Sequence, residues 1–375
     1  MAASLHPGLR IIDRIGWSVA ALAGALRFAR RAGLDRNAIP QLYVDCLMSG
    51  ATPPEAVVWR GLHGSRHPLP GRAAGLLLSR LGDPAGHALL ADKLAAAAHL
   101  SAAGLAVPTL HLLVEGPSSL GGTDPPLPVA GDLFVKPRRG SGGRGSFALI
   151  RESDGWRIGE GTPPMPWTIL RRLLLERSAR DPLLVQERLS AHPDLADLAA
   201  AGRPPVLRLT TTREPGGAPI LHAALVEIPV PGRDPRRFRD GVLRVPVDPS
   251  SGRMTAGLSF AQPGERFAAL PWNGAGLTGR VVPGYAEAAA AVVEAMRTMP
   301  PLPIVDWDLV PTPRGPVVLE GNTCGNWIVT TLASRLGLGA GPPPGRILAA
   351  WDAIDWDAHG WDAASRDRAG PDAAG

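Results

Sequence analysis

Two stretches of this chain hold residue types that could do chemistry. The first is residues 133–146, LFVKPRRGSGGRGS. Its short apolar run, Leu133-Phe134-Val135, reads as a buried strand that delivers Lys136 at its end, and Pro137 then stops regular pairing. Gly140, Gly142, Gly143 and Gly145, with Ser141 among them, allow positive φ and close backbone approach, so that amides can point together at an anion. A strand, a lysine and a flexible cationic loop are the parts that hold a polyphosphate, although many glycine-rich loops are plain surface connections. Lysine scarcity sharpens the first reading. Of the 39 lysines and arginines, only Lys93 and Lys136 are lysines. A compact ammonium suits places where a planar guanidinium does not, and chance survival is the alternative. Lys93 falls in the first turn of a helix read over residues 94–103 with Asp92 as its cap, where the helix dipole favours anions.

The second stretch is residues 304–327, IVDWDLVPTPRGPVVLEGNTCGNW. If its two halves pair antiparallel about a turn centred near Arg314, Asp308 faces Glu320 and Asp306 faces Asn322. Period-2 alternation then sets these four on one face and Val305, Trp307, Leu309, Val317 and Leu319 on the other. Three carboxylates on one face repel one another without a cation, and carboxylates with an amide suit Mg2+. An acidic solvated face is the plainer reading, and a register slip of one residue would break the pattern.

The elements that must position these residues read as an α+β chain. Residues 1–85 are mostly helical, with apolar positions at helical spacing over residues 11–32 and shorter candidates at 37–48 and 54–63. Strands are expected at 107–114, 133–135, 147–151, 183–187, 206–213, 219–229, 241–247, 254–260, 304–310 and 316–320, and helices at 166–180 and 285–299. Residues 116–126 read as a loop, and the chain from residue 361 reads as a polar tail. The first part lacks strand–helix alternation, which argues against a dinucleotide fold there.

Composition removes several classes. A length of 375 residues with 45% hydrophobic content is ordinary for a globular protein of two or three domains. A formal charge of +5, scattered without basic runs, gives no nucleic-acid footprint. The apolar run at residues 17–26 is too short to span a bilayer, and the first residues lack the pattern of a secretory signal. With Cys46 and Cys324 alone, a disulfide framework is not expected and a cytoplasmic location is. Arg233, Arg236, Arg237, Arg239 and Arg244 surround a region able to meet an anionic substrate, or form an ordinary solvated face. There is no Ser-His-Asp or Cys-His arrangement.

In the order DKLAAAAHLSAAGLAVP, LFVKPRRGSGGRGS, LLVQERL, VLRLTTTR and DWDLVPTPRGPVVLEGN, the chain resembles the ATP-grasp superfamily, and more narrowly its sugar-transfer-associated members. The resemblance implies an ATP-grasp fold, two α+β subdomains clasping ATP, preceded by the helical region. Its divisions would be 1–85, 86–182 with the glycine-rich lid, 183–350 with the metal site, and a tail at 351–375. It implies that Lys93 and Lys136 contact the α- and β-phosphates and that Gly140 to Gly145, Ser141 included, form the lid. Gln186 and Glu187 would bind the adenine amino edge, Leu189 would stack near the base, and Asp194 would take the ribose. Asp308, Glu320 and Asn322 match the metal set, for Mg2+ or alternatively Mn2+, and Arg208 would stand near the acceptor and the γ-phosphate. Asp306 has no counterpart in the pattern. The implied activity is ATP-dependent carboxylate–amine ligation through an acylphosphate, with release of ADP, on a cell-surface polysaccharide or a small metabolite. The alternatives are a kinase, a carboxylate–thiol ligase, or a nucleotide-binding partner of a glycosyltransferase without turnover. Residues 1–85 would serve a homodimer or dock to biosynthetic enzymes.

Overall fold

A computed structural model describes residues 11–32, 34–49, 53, 56, 78, 80–116, 131–159, 162–200, 202–237, 240–262 and 265–323. Apart from Ala56, the helix expected at 54–63 lies outside the described residues, as do the loop at 116–126 past Gly116, Arg239 and everything from residue 324 onward, the tail included. Helices α1 (Ile11–Ala32) and α2 (Ala38–Ser49) open the chain and share a small core of Ala21, Ala25, Leu42, Cys46 and Ala56. Among the described residues no helix is long and apolar enough to cross a membrane.

Helices α3 (Pro84–Ala91) and α4 (Lys93–Ala102) follow, separated by Asp92. Asp92 ends one helix in extended backbone and caps the next, accepting from the amides of Leu94 and Ala95 at 3.1 and 3.3 Å. This is the cap expected from the sequence. Asp83 does the same for α3, where Pro84 occupies the first turn without losing a needed hydrogen bond.

The first sheet contains β1 (Leu110–Val114), β2 (Leu133–Pro137), β3 (Phe147–Glu152), β4 (Gly155–Ile158) and, later in the chain, β5 (Leu183–Glu187), in the order β1-β5-β2-β3-β4. All its pairings are antiparallel. Helix α5 (Trp167–Ser178) lays Leu170 and Leu174 on the sheet, over Val114, Leu133, Val135, Leu149, Trp156 and Val185. Strand β4 was not expected, since GWRI is too short to make an alternating run. Gly155 makes the reversal, at φ 144°, where an added Cβ would lie 2.3 Å from the Met165 carbonyl oxygen.

The second sheet contains β6 (Val206–Thr212), β7 (Ile220–Pro229), β8 (Val242–Val247), β9 (Ile304–Thr312) and β10 (Gly315–Asn322), in the order β10-β9-β6-β7-β8 and again antiparallel. Helix α6 (Tyr285–Thr298) packs on it through Ala288, Val292, Ala295 and Met296. Residues 254–260, expected as a strand, form only isolated bridges, such as Val247 with Met254 and Arg244 with Leu258. Leu90, Ala96 and Leu100 of α3 and α4 belong to this second core, and β5 to the first sheet. The two sheets therefore part between Glu187 and Val206, and the lysine-bearing helix α4 sits on the carboxylate-bearing sheet.

The β9–β10 hairpin pairs Asp308 with Glu320 and Asp306 with Asn322, as the alternation required. The route differs. The turn holds Pro313 and Arg314, because Thr312 pairs with Gly315, and a bulge between Val318 and Glu320 restores the pairing beyond it. The bulge also changes which residues face the core. Val318, opposite Leu309, joins Trp307 there, whereas Val317 and Leu319 had been expected to.

Candidate nucleotide and cation site

Helix α4, the lid base and the end of β10 bring both lysines to Glu320. Lys93 Nζ donates to the Gly140 carbonyl at 2.5 Å and stands 3.9 Å from Glu320 Oε2. Lys136, near the end of β2, is buried and donates from Nζ to the Leu319 carbonyl at 3.3 Å. Burial pushes the Lys136 ammonium down to about 8, against the attraction of Glu320 and with repulsion from Lys93.

Arg138 fixes the two lysine-bearing segments to each other. Its Nε lies 2.8 and 2.9 Å from the two oxygens of Asp92, and its Nη2 is 2.8 Å from Oδ2. The Lys93 amide donates to the Arg138 carbonyl at 3.0 Å, and the Arg138 amide to the Pro182 carbonyl at 2.7 Å. The Arg138 guanidinium holds the Asp92 carboxyl below its usual range, outweighing partial burial. Sequence reading assigned Asp92 a capping role and passed over Arg138.

Between Lys136 and Ser146 the loop is exposed and turns through left-handed backbone. Gly140, Gly142, Gly143 and Gly145 have φ of 92°, 66°, 66° and 75°. Ser141 is exposed among them. An added Cβ on Gly143 would lie 3.6 Å from the Arg236 side chain, which places the β7–β8 loop beside the glycine-rich loop. In that loop Arg236 is bound to Asp234, and Arg233 and Arg237 to Asp240. Arg244, grouped with them from the sequence, is instead buried on β8.

Gln186 is buried on β5, between Leu110 of β1 and Phe134 of β2. Glu187 follows, accepting from the Thr109 amide at 2.7 Å and from Arg314 of the β9–β10 turn. Burial would raise the Glu187 carboxyl, but these donors hold it below the usual range. Leu189 is half-buried beyond the strand. Asp194 lies in a short 3-10 turn, Pro193–Leu198, with its side chain 75% exposed and 3.7 Å from His192 Nδ1.

On the second sheet, β6, β9 and β10 set Arg208, Asp308 and Glu320 in a row of facing partners. Arg208 Nε meets Asp308 Oδ1 at 2.8 Å and Nη2 meets Oδ2 at 3.0 Å. Asn322 Nδ2 lies 3.4 Å from Asp308 Oδ2 and 3.5 Å from Glu320 Oε1. Burial, with the charges of Glu320 and Glu227, pushes the Asp308 carboxyl above its usual range although Arg208 pulls it down. Asp306 accepts from the Thr210 hydroxyl at 2.5 Å in the same face.

The donor chemistry of this set fits a hard divalent cation. Two carboxylates and one amide, whose oxygen or nitrogen can face either neighbour, converge within hydrogen-bonding range. Among the described residues there is no cage of three His, Cys, Asp or Glu side chains. A sparse oxygen set of this kind suits Mg2+, which keeps places for water and phosphate oxygens.

One residue of this face, Glu227, went unnoticed in the sequence, and another, Arg244, was seen there only as one of the arginine cluster. Glu227 lies 3.8 Å from Arg208 Nη1 and 3.1 Å from Arg244 Nε. The Arg244 guanidinium in turn sits 4.3 Å from the Phe260 ring centre. A register shift between Thr210 and Thr211 hides Glu227. Counting back from the β6–β7 turn without that shift puts Glu227 on the wrong face.

Two mixed α+β halves, two lysines beside a glycine-rich loop and a carboxylate–amide set next to them are the parts of an ATP-grasp protein. The chain belongs to the sugar-transfer associated ATP-grasp family, whose model matches residues 76–340. None of the curated proteins compared matches the chain significantly. Among solved structures it is similar to D-alanine–D-alanine ligase from Bacillus anthracis complexed with ATP, at 12% identity and TM-score 0.43, covering 77% of this chain and 71% of that one. It is also similar to the VanG D-Ala:D-Ser ligase from Enterococcus faecalis, at 15% identity and TM-score 0.41, covering 72% and 63%. A third is the ADP complex of N5-carboxyaminoimidazole ribonucleotide synthetase, at 11% identity and TM-score 0.39, covering 63% and 45%. The chain spans less than two thirds of the length of the second and third of these structures, 63% and 45%.

Proposed function

We propose that this chain binds Mg-ATP where its two sheets meet and uses it to join a carboxylate to an amine. The observation that carries the reading is the meeting of both lysines at Glu320, Lys93 directly and Lys136 through the adjoining carbonyl. Nothing else in so lysine-poor a chain explains that convergence as simply as a polyphosphate bridging the lysines and a cation on the carboxylates.

In this reading a substrate carboxylate oxygen attacks the γ-phosphorus of ATP. The bond from that phosphorus to the β-phosphate oxygen breaks, ADP leaves and an acylphosphate remains. The amine nitrogen then attacks the acyl carbon, the carbon–oxygen bond to phosphate breaks, and phosphate departs with the electron pair while the amine gives up a proton. Lys93, Lys136 and Arg208 offset charge on the transferring group, and the lid over residues 140–145 excludes water from the acylphosphate. Asp308, Glu320 and Asn322 would hold Mg2+, or Mn2+ in its place, which neutralises phosphate charge when bound. In this reading Gln186 and Glu187, on the strand next to β2, receive the base, with Leu189 beside them and Asp194 for the ribose. The acceptor belongs to sugar-transfer chemistry in the cytoplasm, on a glycan or a small metabolite, and α1 and α2 serve self-association or docking to a partner enzyme.

The test is ADP release with candidate acids and amines. Release that requires both supports ligation, whereas release with the acid alone and a stable phosphorylated product supports a kinase. Tight ATP binding with no turnover under any acceptor would leave a nucleotide-binding partner. Glu320→Gln is expected to remove the metal dependence of ATP binding, and retained dependence would sink the cation assignment.

A further inference from the structure

Arg208 and Asp308 are joined more completely than a cation ligand allows. Both Asp308 oxygens accept from the one guanidinium, at 2.8 and 3.0 Å. A divalent cation using Asp308 needs at least one of those oxygens, and so competes with Arg208 for it. A buried guanidinium turned away with no carboxylate to receive it would oppose loading strongly. Glu227 is that receiver. It comes from β7 on the far side of Arg208, with Oε1 already 3.8 Å from Arg208 Nη1. Arg244 holds it in place at 3.1 Å and is itself packed at 4.3 Å against Phe260. No role in holding phosphate, cation or base is assigned to this second, anchored carboxylate beside Arg208, yet four charged side chains are kept together to provide it, Asp308 and Arg244 buried and Arg208 and Glu227 largely so.

We propose that Arg208 is the resident counter-ion of the cation site, and that loading of a divalent cation shifts it from Asp308 onto Glu227. The inference rests on the cation assignment in the proposed function. It adds the reason why the site stays closed to adventitious cations: the carboxylate that would hold them is already occupied. The exchange moves one guanidinium over a short distance between two carboxylates, so no bond or proton changes hands. Arg244 acts as a positioning residue, keeping Glu227 ionised and in reach. Burial raises the Glu227 carboxyl, but Arg208 and Arg244 together hold it below its usual range.

The test uses Mn2+ alone as probe, titrated into the full chain and followed by loss of the free-ion electron paramagnetic resonance signal. Arg208→Gln removes the competitor and is expected to tighten Mn2+ binding about tenfold, a coupling of the size seen between contacting charged groups. Glu227→Gln removes the receiver and is expected to weaken it by a similar factor of about ten. In the double variant the Glu227→Gln effect should vanish, because no arginine remains to be rehoused. Glu320→Gln in the Arg208→Gln background should abolish the binding and thereby locate it. If Glu227→Gln fails to fold, the sign of the Arg208→Gln change still decides, since a general loosening cannot tighten a cation site. Unchanged or weaker Mn2+ binding in Arg208→Gln, including no binding at all, overturns the exchange and marks the pair as a fixed structural bridge. If ATP binding is metal-dependent while Arg208→Gln does not tighten Mn2+, this inference fails and the ligase reading stands. If Mn2+ behaves as expected but ATP does not bind, the ligase reading fails instead.

Discussion

The two sheets carry buried charge in different ways. On the first, Lys136 is buried on the face of β2 opposite Leu133 and Val135, reaches a backbone carbonyl at 3.3 Å, and feels the attraction of Glu320 against the repulsion of Lys93. On the second, Arg208, Asp308, Glu227 and Arg244 alternate in sign, each within 3.8 Å of an opposite charge. An ammonium kept partly desolvated is costly to the fold and strongly attractive to an anion. An alternating row is nearly neutral and binds a further ion only by exchanging partners. The cationic side is thus poised, and the acidic side is buffered.

The largest test of that contrast is to break the row on the buffered side. Asp308→Asn leaves Arg208 with Glu227 as its remaining carboxylate and should lower folding stability by roughly 1.5–3 kcal/mol, the worth of hydrogen bonds to a charged group, short of the cost of stranding a buried charge. Denaturant unfolding measures it, and a loss smaller than that of an exposed pair would mean that water reaches Arg208 freely. Lys136→Met, by contrast, should leave stability unchanged or raised while ATP affinity falls roughly a hundredfold, as for loss of a buried charged contact. Calorimetric titration with ATP and thermal melting on one sample separate the two effects.

The same lysine gives a pH dependence. Its ammonium is pushed down to about 8 from an ordinary value of 10.5. In the protein without nucleotide, ATP affinity should fall as pH rises through that region and Lys136 loses its charge. Stability should move the opposite way. The charged form is disfavoured in the fold, so its cost is fully present below pH 8 and is relieved as pH climbs toward the unfolded value. Lys136→Arg should remove the affinity inflection, because the guanidinium stays charged.

Much of this was legible in the sequence where side-chain type and spacing suffice. The strand ending in Lys136, the Asp92 cap and the facing of Asp308 with Glu320 all follow from alternation, a breaker or a capping residue. What was hidden depends on irregularity. The irregular register before Glu320 set Val318, rather than Val317 or Leu319, on the face with Trp307, and the shift after Thr210 concealed Glu227. A period of two carries no notice of an inserted residue, and only tertiary pairing reveals it. Arg138 was hidden for another reason. It was one arginine among many, and its partner Asp92 lies 46 residues away.

Arg138 and Asp92 give the smallest and most discriminating prediction, since Asp92 does two things at once. It caps α4 and it holds the guanidinium at the base of the glycine-rich loop, so that Lys93, whose amide binds the Arg138 carbonyl, is set against the segment bearing Lys136. Asp92→Asn keeps a good capping oxygen and gives up the charge that grips Arg138. Stability should fall by only about 1 kcal/mol, while ATP affinity drops about threefold as the two lysines lose their fixed spacing. Asp92→Ala loses the cap as well and should cost about 1 kcal/mol more. Adenosine binding serves as the control, because a lysine-spacing effect touches only the phosphates. If Asp92→Asn weakens adenosine as much as ATP, the pair supports the fold in general and does not set the distance between the lysines. If it weakens ATP alone, the poised charge of the first sheet depends on a cap residue of the helix packed on the second.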